Sequence, residues 1–267
     1  MKNAFAANRQ PNNLFDFSAQ GRKILPKAQL QERYRQIYDR YANAFESLHE
    51  QVKQKACRRE YAKSDMFLGY YSPDALDLVM GGVHRGRLLQ RVPQKSRYTH
   101  EYLFDDADHL ICVYQYQYDA GERVLYTANI LLHQPHRLLI LCYSVRRDTW
   151  LEGIAECLYD GQKQIQFEEV ICLANSCGMQ AQTQWYEETE NGAILYWWDR
   201  TEAPTSTLHL FDFSRDEQGF LSEYTAKAFA VDNDGGLSLR RDYNGVYHPT
   251  NQRKEFIPDI RGANDDG

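Results

Sequence analysis

The feature that most constrains this chain is a hairpin-sized period in its second half. An aromatic or aliphatic strand, a Gly/Asn/Asp tip and a second apolar strand recur, the second strand opening near Leu110, Leu138, Ile165, Ile194 and Phe220. The intervals of 28, 27, 29 and 26 residues match one strand pair with its turns, so the region reads as repeated β-hairpins. Gly, Asn, Asp and Pro punctuate it at 105–108, 119–121, 134–136, 160–162, 175–178 and 232–236, where tight turns need a positive or preset φ. Ten or eleven strands are therefore expected between Tyr98 and about Tyr243. Because every connection is short, each strand should run antiparallel to the next in an up-and-down meander.

Several strands are apolar on both faces. In 193–199, Ile194, Tyr196 and Trp198 alternate with Leu195 and Trp197, and 137–145 does the same. Such strands are covered on two sides. A twisted sheet of about ten strands tends to curl or close rather than stay open. The expected fold class is thus α+β, mainly β: an antiparallel meander, strongly curled or barrel-like, with a long N-terminal helix packed on it.

That helix is expected from Pro26 to about Glu60. Leu30, Tyr34, Ile37, Tyr41, Phe45, Leu48 and Val52 recur at intervals of three and four, one apolar stripe that the protein's own β region should cover. A second helix is signalled by Ser72-Pro73-Asp74, a serine cap before proline and an acid, and should stop at Gly81-Gly82. Three regions result, expected to form one folded unit: an arm, helices and basic connector over 1–97, the meander over 98–243, and an irregular tail over 244–267.

Charge divides the same way. Residues 1–100 hold 18 Lys/Arg against 9 Asp/Glu, and the remainder 13 against 28, so a half of net +9 joins a half of net −15. Either the basic helices dock on the acidic sheet and compensate it, or one half faces an oppositely charged partner. Glu156, Glu168 and Glu188 stand for the second alternative, as exposed acids steering a cationic protein partner. Tyr114, Tyr116 and Tyr118 share one strand face and form a candidate contact surface, tyrosine giving large contact area at low entropic cost. Their competing role is an aromatic ladder in the core.

No catalytic or cofactor signature emerges. His133 and His136 flank a proline turn without a third metal ligand. The acidic runs at 105–108 and 232–235 lack the remaining ligands and closing Glu of a calcium loop. The glycines of 81–86 follow a helix instead of linking a strand to a helix, the context phosphate loops require. Glu168-Glu169 and Glu187-Glu188 are strand neighbours that point to opposite faces, so neither pair converges on a substrate. Four of the six cysteines fall in apolar strand patterns and read as buried thiols, with Cys177 the one expected at the surface. Net acidity argues against nucleic acid. No apolar run reaches 18 residues and the N-terminus lacks a secretory core, so a cytoplasmic protein is expected, without cofactor or membrane partner.

The segments Tyr102-Leu103-Phe104-Asp105-Asp106-Ala107-Asp108-His109-Leu110-Ile111 and Leu158-Tyr159-Asp160-Gly161-Gln162-Lys163-Gln164-Ile165 resemble the aromatic-Asp-turn-apolar hairpins of bacterial YD-type repeat proteins, including immunity-type proteins of polymorphic toxin systems. The resemblance spans about 98–230 and brings no site residue with it. It implies a non-enzymatic protein-binding module, with inhibition of a toxin as one concrete version. The alternative is a lipocalin-like barrel holding a small apolar ligand, and the filling of its interior discriminates the two.

Overall fold

The computed structural model describes residues 27–64, 67–74, 86–93, 98–119, 121–161, 163–173, 176–189, 192–199, 206–217, 219, 221–231 and 237–246. Eleven strands form the meander: β3 (Tyr98–Phe104), β4 (Leu110–Asp119), β5 (Glu122–Gln134), β6 (Arg137–Ser144), β7 (Trp150–Asp160), β8 (Lys163–Leu173), β9 (Ser176–Thr189), β10 (Gly192–Asp199), β11 (Ser206–Arg215), β12 (Leu221–Val231) and β13 (Leu237–Val246). Each is antiparallel to its sequence neighbour, as the short turns require. Leu110, Leu138, Ile165 and Ile194 lie in the opening residues of even-numbered strands, so the period is one hairpin. Of the irregular tail expected over 244–267, residues 244–246 belong instead to β13, and 247–267 lie outside the described residues, as does the second helix expected over 75–80.

Two further strands come from the N-terminal half. β1 (Arg58–Ala62) pairs with β3, Tyr61 opposite Glu101, and on its other side with β2 (Leu88–Leu89). Among the described residues the single sheet thus holds 13 strands, in the order β13 through β3, then β1 and β2. Among the described strands nothing pairs β13 with β2, so the sheet is not closed into a barrel. The charged stretch Arg58-Arg59-Glu60 reads as a helix end in the sequence, but its alternate residues serve the two faces of the sheet.

The single long helix expected over 27–60 is instead two, α1 (Lys27–Tyr41) and α2 (Phe45–Lys55). Neither proline nor glycine makes the break; Ala44 sits at φ −94°, ψ 0° without a side-chain cap. Adjacent strands rotate by about 20–25°, so a straight rod cannot stay seated across several of them. α1 lies over β7 and β9 and α2 over β5, and the break lets the chain follow the twist. Tyr34, Phe45 and Val52 are buried against Leu103, Cys112, Ile130, Leu139, Leu141 and Tyr143. This is the helix face.

The opposite face carries Tyr102, Phe104, Val113, Leu131, Ile140, Cys157 and Phe167, and the same packed cluster takes in Phe211, Phe213 and Ala226. Its cover over β3 is the segment 67–74, where Leu68 is fully buried and Tyr71 stacks edge-on against Tyr102 and Phe104. Gly69, at φ +60°, lets this segment press down: a Cβ there would lie 2.3 Å from the Tyr102 hydroxyl and 2.8 Å from the His100 ring. Asp74 N–H donates to Ser72 Oγ at 3.3 Å, the bond a serine cap makes.

Candidate functional site

Glu156 of β7 and Glu168 of β8 stand directly opposite each other on the helix face. They are not the surface acids expected from the sequence, being only 1% and 4% exposed. Arg33 of α1 reaches both carboxylates, meeting Glu156 closely and Glu168 at 3.7 Å, and Arg137 of β6 closes on Glu156 from the other side. Tyr34 Oη donates to Glu168 Oε1 at 2.9 Å, and Thr183 Oγ1 of β9 donates to Oε2 at 2.9 Å. Two carboxylates at cross-strand distance would repel strongly in a dry interior. The arginines cancel that repulsion, and α1 closes the pair off from any substrate. The geometry belongs to docking rather than acid–base chemistry.

The basic half thus compensates the acidic half in detail. Besides the Arg33 contacts, Arg59 of β1 pairs with buried Glu101 at 3.0 Å, and Arg58 with Asp108 at 2.6 Å. Nothing local in the sequence marks these acids as buried, because their partners on α1 lie far away in the chain, Tyr34 being 134 residues from Glu168.

The tyrosine stripe is graded along β4. Tyr114 is buried beneath α2, its hydroxyl 2.6 Å from His49 Nε2. Burial raises the Tyr114 and Tyr116 phenols well above their usual range and lowers that of His49. Tyr116 is half-buried, donates to Glu101 Oε2 at 3.0 Å and carries the Arg123 guanidinium 3.4 Å from its ring centroid. Tyr118 is 43% exposed. The stripe thus runs from a core ladder at Tyr114 to an exposed ring at Tyr118. Glu188 lies in β9 opposite Ala193, with its side chain outside what the structure describes.

On the opposite face Asp74, buried, accepts from Gln184 Nε2 at 2.6 Å and from Gln182 Nε2 at 3.2 Å, and Gln182 also donates to Glu169 at 2.8 Å. His100 is fully buried, and burial pushes its imidazole down to about 4. The sequence pointed to none of these; a serine cap was the one signal near Asp74. His133 Nε2 lies 2.8 Å from the Leu110 carbonyl oxygen, and its ring packs at a tilt with its centroid 5.1 Å from that of His109. Among the described residues no group of three or more His, Cys, Asp or Glu side chains forms a metal site.

Among the described residues, two open clefts stand out. The larger, about 500 Å³, lies between the C-terminal part of α1 and the β6–β7 turn, lined by Tyr38, Tyr126, Ser144, Arg146, Arg147, Asp148 and Trp150. Arg146 pairs with Asp119 at 3.1 Å and lies 5.9 Å from the Tyr126 ring centroid. The second, about 440 Å³, is lined by Asp212, Ser214, Glu223, Tyr224, Thr225, Asn244 and Gly245 of β11 to β13. Tyr224, which lines the second cleft, packs edge-on against Phe211 of the opposite-face cluster, ring centroids 5.7 Å apart.

No known protein family, curated protein or solved structure matches this chain. Function therefore rests on geometry alone. In a meander, tips that follow odd-numbered strands gather at one end of the sheet. Asp106 and Asp108, Asp160, and Asp216 with Glu217 occupy those tips, and all five are exposed. Among the described residues no helix is long and apolar enough to cross a membrane.

Proposed function

We propose that this chain is a cytoplasmic, non-enzymatic protein-binding module, in concrete form an immunity-type inhibitor of a toxin, which receives a cationic partner along the acidic hairpin tips. The observation that carries this reading is the covering of both faces of the central sheet: one by α1 and α2, the other by 67–74 and a dense aromatic cluster. Among the described residues the ends of the central strands stay open, and one end presents acids at three hairpin tips. Complementary charge there would speed encounter with a cationic partner and weaken with salt, the Debye length being about 8 Å at physiological ionic strength.

The reading includes a strongly curled sheet. In a flat sheet β8 and β11 would lie three strand spacings, about 14 Å, apart. Phe167 of β8 nevertheless shares a cluster with Phe211 and Phe213 of β11. Register shifts in seven strand pairings supply local twist. Filling of that cluster by Tyr102, Phe104 and Phe167 speaks against the lipocalin-like interior. A small-ligand reading survives in another place: the cleft of Tyr38, Tyr126, Trp150, Arg146 and Arg147 suits a planar molecule carrying an anionic group, through stacking and guanidinium contact.

The experiment is affinity capture with wild-type protein and with an Asp106→Lys, Asp160→Lys, Asp216→Lys variant. A protein held by the wild type and lost from the variant, at unchanged melting temperature, supports the proposal. Equal capture by both, or a small molecule co-purifying with both, overturns it in favour of the cleft.

A further inference from the structure

The register of the β8–β9 hairpin sets Cys172 directly opposite Cys177, with Leu173 opposite Ser176 beside the tip, and a register shift between Ile171 and Cys172 sets this short tip ladder off from the rest of the pairing. Ala174 and Asn175 alone connect that last pair in the sequence. With a two-residue connection the pair flanking the tip exchanges hydrogen bonds and the next pair does not, which brings its Cα atoms to about 4.5 Å. Disulfides span Cα separations of about 4.4–6.8 Å, so this register suits one without a large backbone shift. The other strand cysteines face no cysteine. Cys112 stands between Leu103 and Ile130, Cys142 between Asn129 and Gly153, and Cys157 between Leu138 and Phe167. Exposed Cys57 precedes β1, its Sγ 3.6 Å from the Phe104 carbonyl.

We propose that Cys172 and Cys177 form a reversible cross-strand disulfide that fastens the β8–β9 hairpin, with a small-molecule disulfide of the glutathione class as oxidant. One cysteine thiolate attacks an oxidant sulfur, forming a mixed disulfide and releasing one small thiol. The second thiolate then attacks the protein sulfur of that mixed disulfide and releases the other. Two electrons pass from the cysteine sulfurs to the oxidant's S–S bond, and the two cysteine protons end on the released thiols. Cys172 is fully buried in the helix-face cluster, and the hairpin carries Glu168, which holds Arg33 and Tyr34 of α1, and Thr183, which donates to Glu168. The bond therefore ties together the two strands on which the Arg33 and Tyr34 turn of α1 is seated.

The test equilibrates the full chain with glutathione over a series of oxidised-to-reduced ratios, quenches with acid, and alkylates the remaining thiols. Chymotryptic cleavage after Leu173 separates the two cysteines, so their fragments stay joined only through sulfur. The expected result is a joined fragment two hydrogen masses below the sum, growing with oxidant, lost on reduction, and absent from Cys177→Ser and Cys177→Ala. The oxidised protein should also melt above the reduced one, a difference those variants lack. The proposal is overturned by full alkylation of both cysteines at every ratio in folded protein, by linkage of either to Cys57 or to a second chain, or by a joined product that melts no higher.

Discussion

The two faces of the sheet bury polar groups by opposite means. On the helix face, Glu156 and Glu168 are neutralised by arginines from α1 and β6, with hydroxyls completing the shell. On the other face, the buried carboxylate of Asp74 is held by side-chain amides, and His100 is kept in its neutral form. The difference follows from what covers each face. A helix can project long cations onto strands several positions away, whereas the short segment 67–74 lies flat and meets the strands through small and planar groups. The helix face should consequently respond most to loss of a charge partner, and the opposite face to pH.

The largest effect is expected from Glu168→Ala. It removes the carboxylate to which Tyr34 and Thr183 donate, while Arg33 keeps Glu156, and hydrogen bonds to a buried charged group are worth about 1.5–3 kcal/mol each. Urea unfolding measures it; a loss below about 1 kcal/mol would show that α1 is not seated on this network.

Acid should weaken the opposite face nearly as much. With His100 near 4 when folded and 6.5 when unfolded, the unfolded chain binds the proton more tightly, so stability declines as pH falls from 6.5 towards 4. The window corresponds to about 3 kcal/mol, with His209, also lowered to about 4 by burial, acting in the same direction. His100→Leu should flatten this slope; an unaltered pH profile would assign the acid sensitivity elsewhere.

Asp74→Ala should cost about 2 kcal/mol, since it removes two amide-to-carboxylate bonds while Gln182 keeps its contact with Glu169. A cost equal to that of Glu168→Ala would erase the contrast between the faces. The smallest effect belongs to Tyr118→Ala at the open end of the stripe, within about 0.5 kcal/mol by thermal melting. A larger loss would place Tyr118 in a packed environment.

Strand order, antiparallel pairing and the hairpin size of the repeat were legible from residues alone. Alternation and turn residues such as Pro135, which precedes His136 at φ +60°, act within a few positions of where they stand. The apolar stripe of the N-terminal helix was equally legible, from Tyr34 to Val52. Its break at 42–44 was not, because it answers to sheet twist and carries no Pro or Gly. β1 escaped notice for a related reason: Arg58 and Glu60 are polar residues satisfied by each other, by Asp108 and by Tyr71.

What the chain determines by itself is therefore local: periods, turns, caps and the separation of a basic half from an acidic one. Only the tertiary structure decides which acids leave the surface. Glu156 and Glu168 look like solvated strand residues until Arg33 and Arg137 converge on them, and Asp74 looks like a helix cap until Gln182 and Gln184 meet it. A charge can be buried only where its partners gather, and those partners come from distant strands and a helix that become neighbours when the sheet assembles.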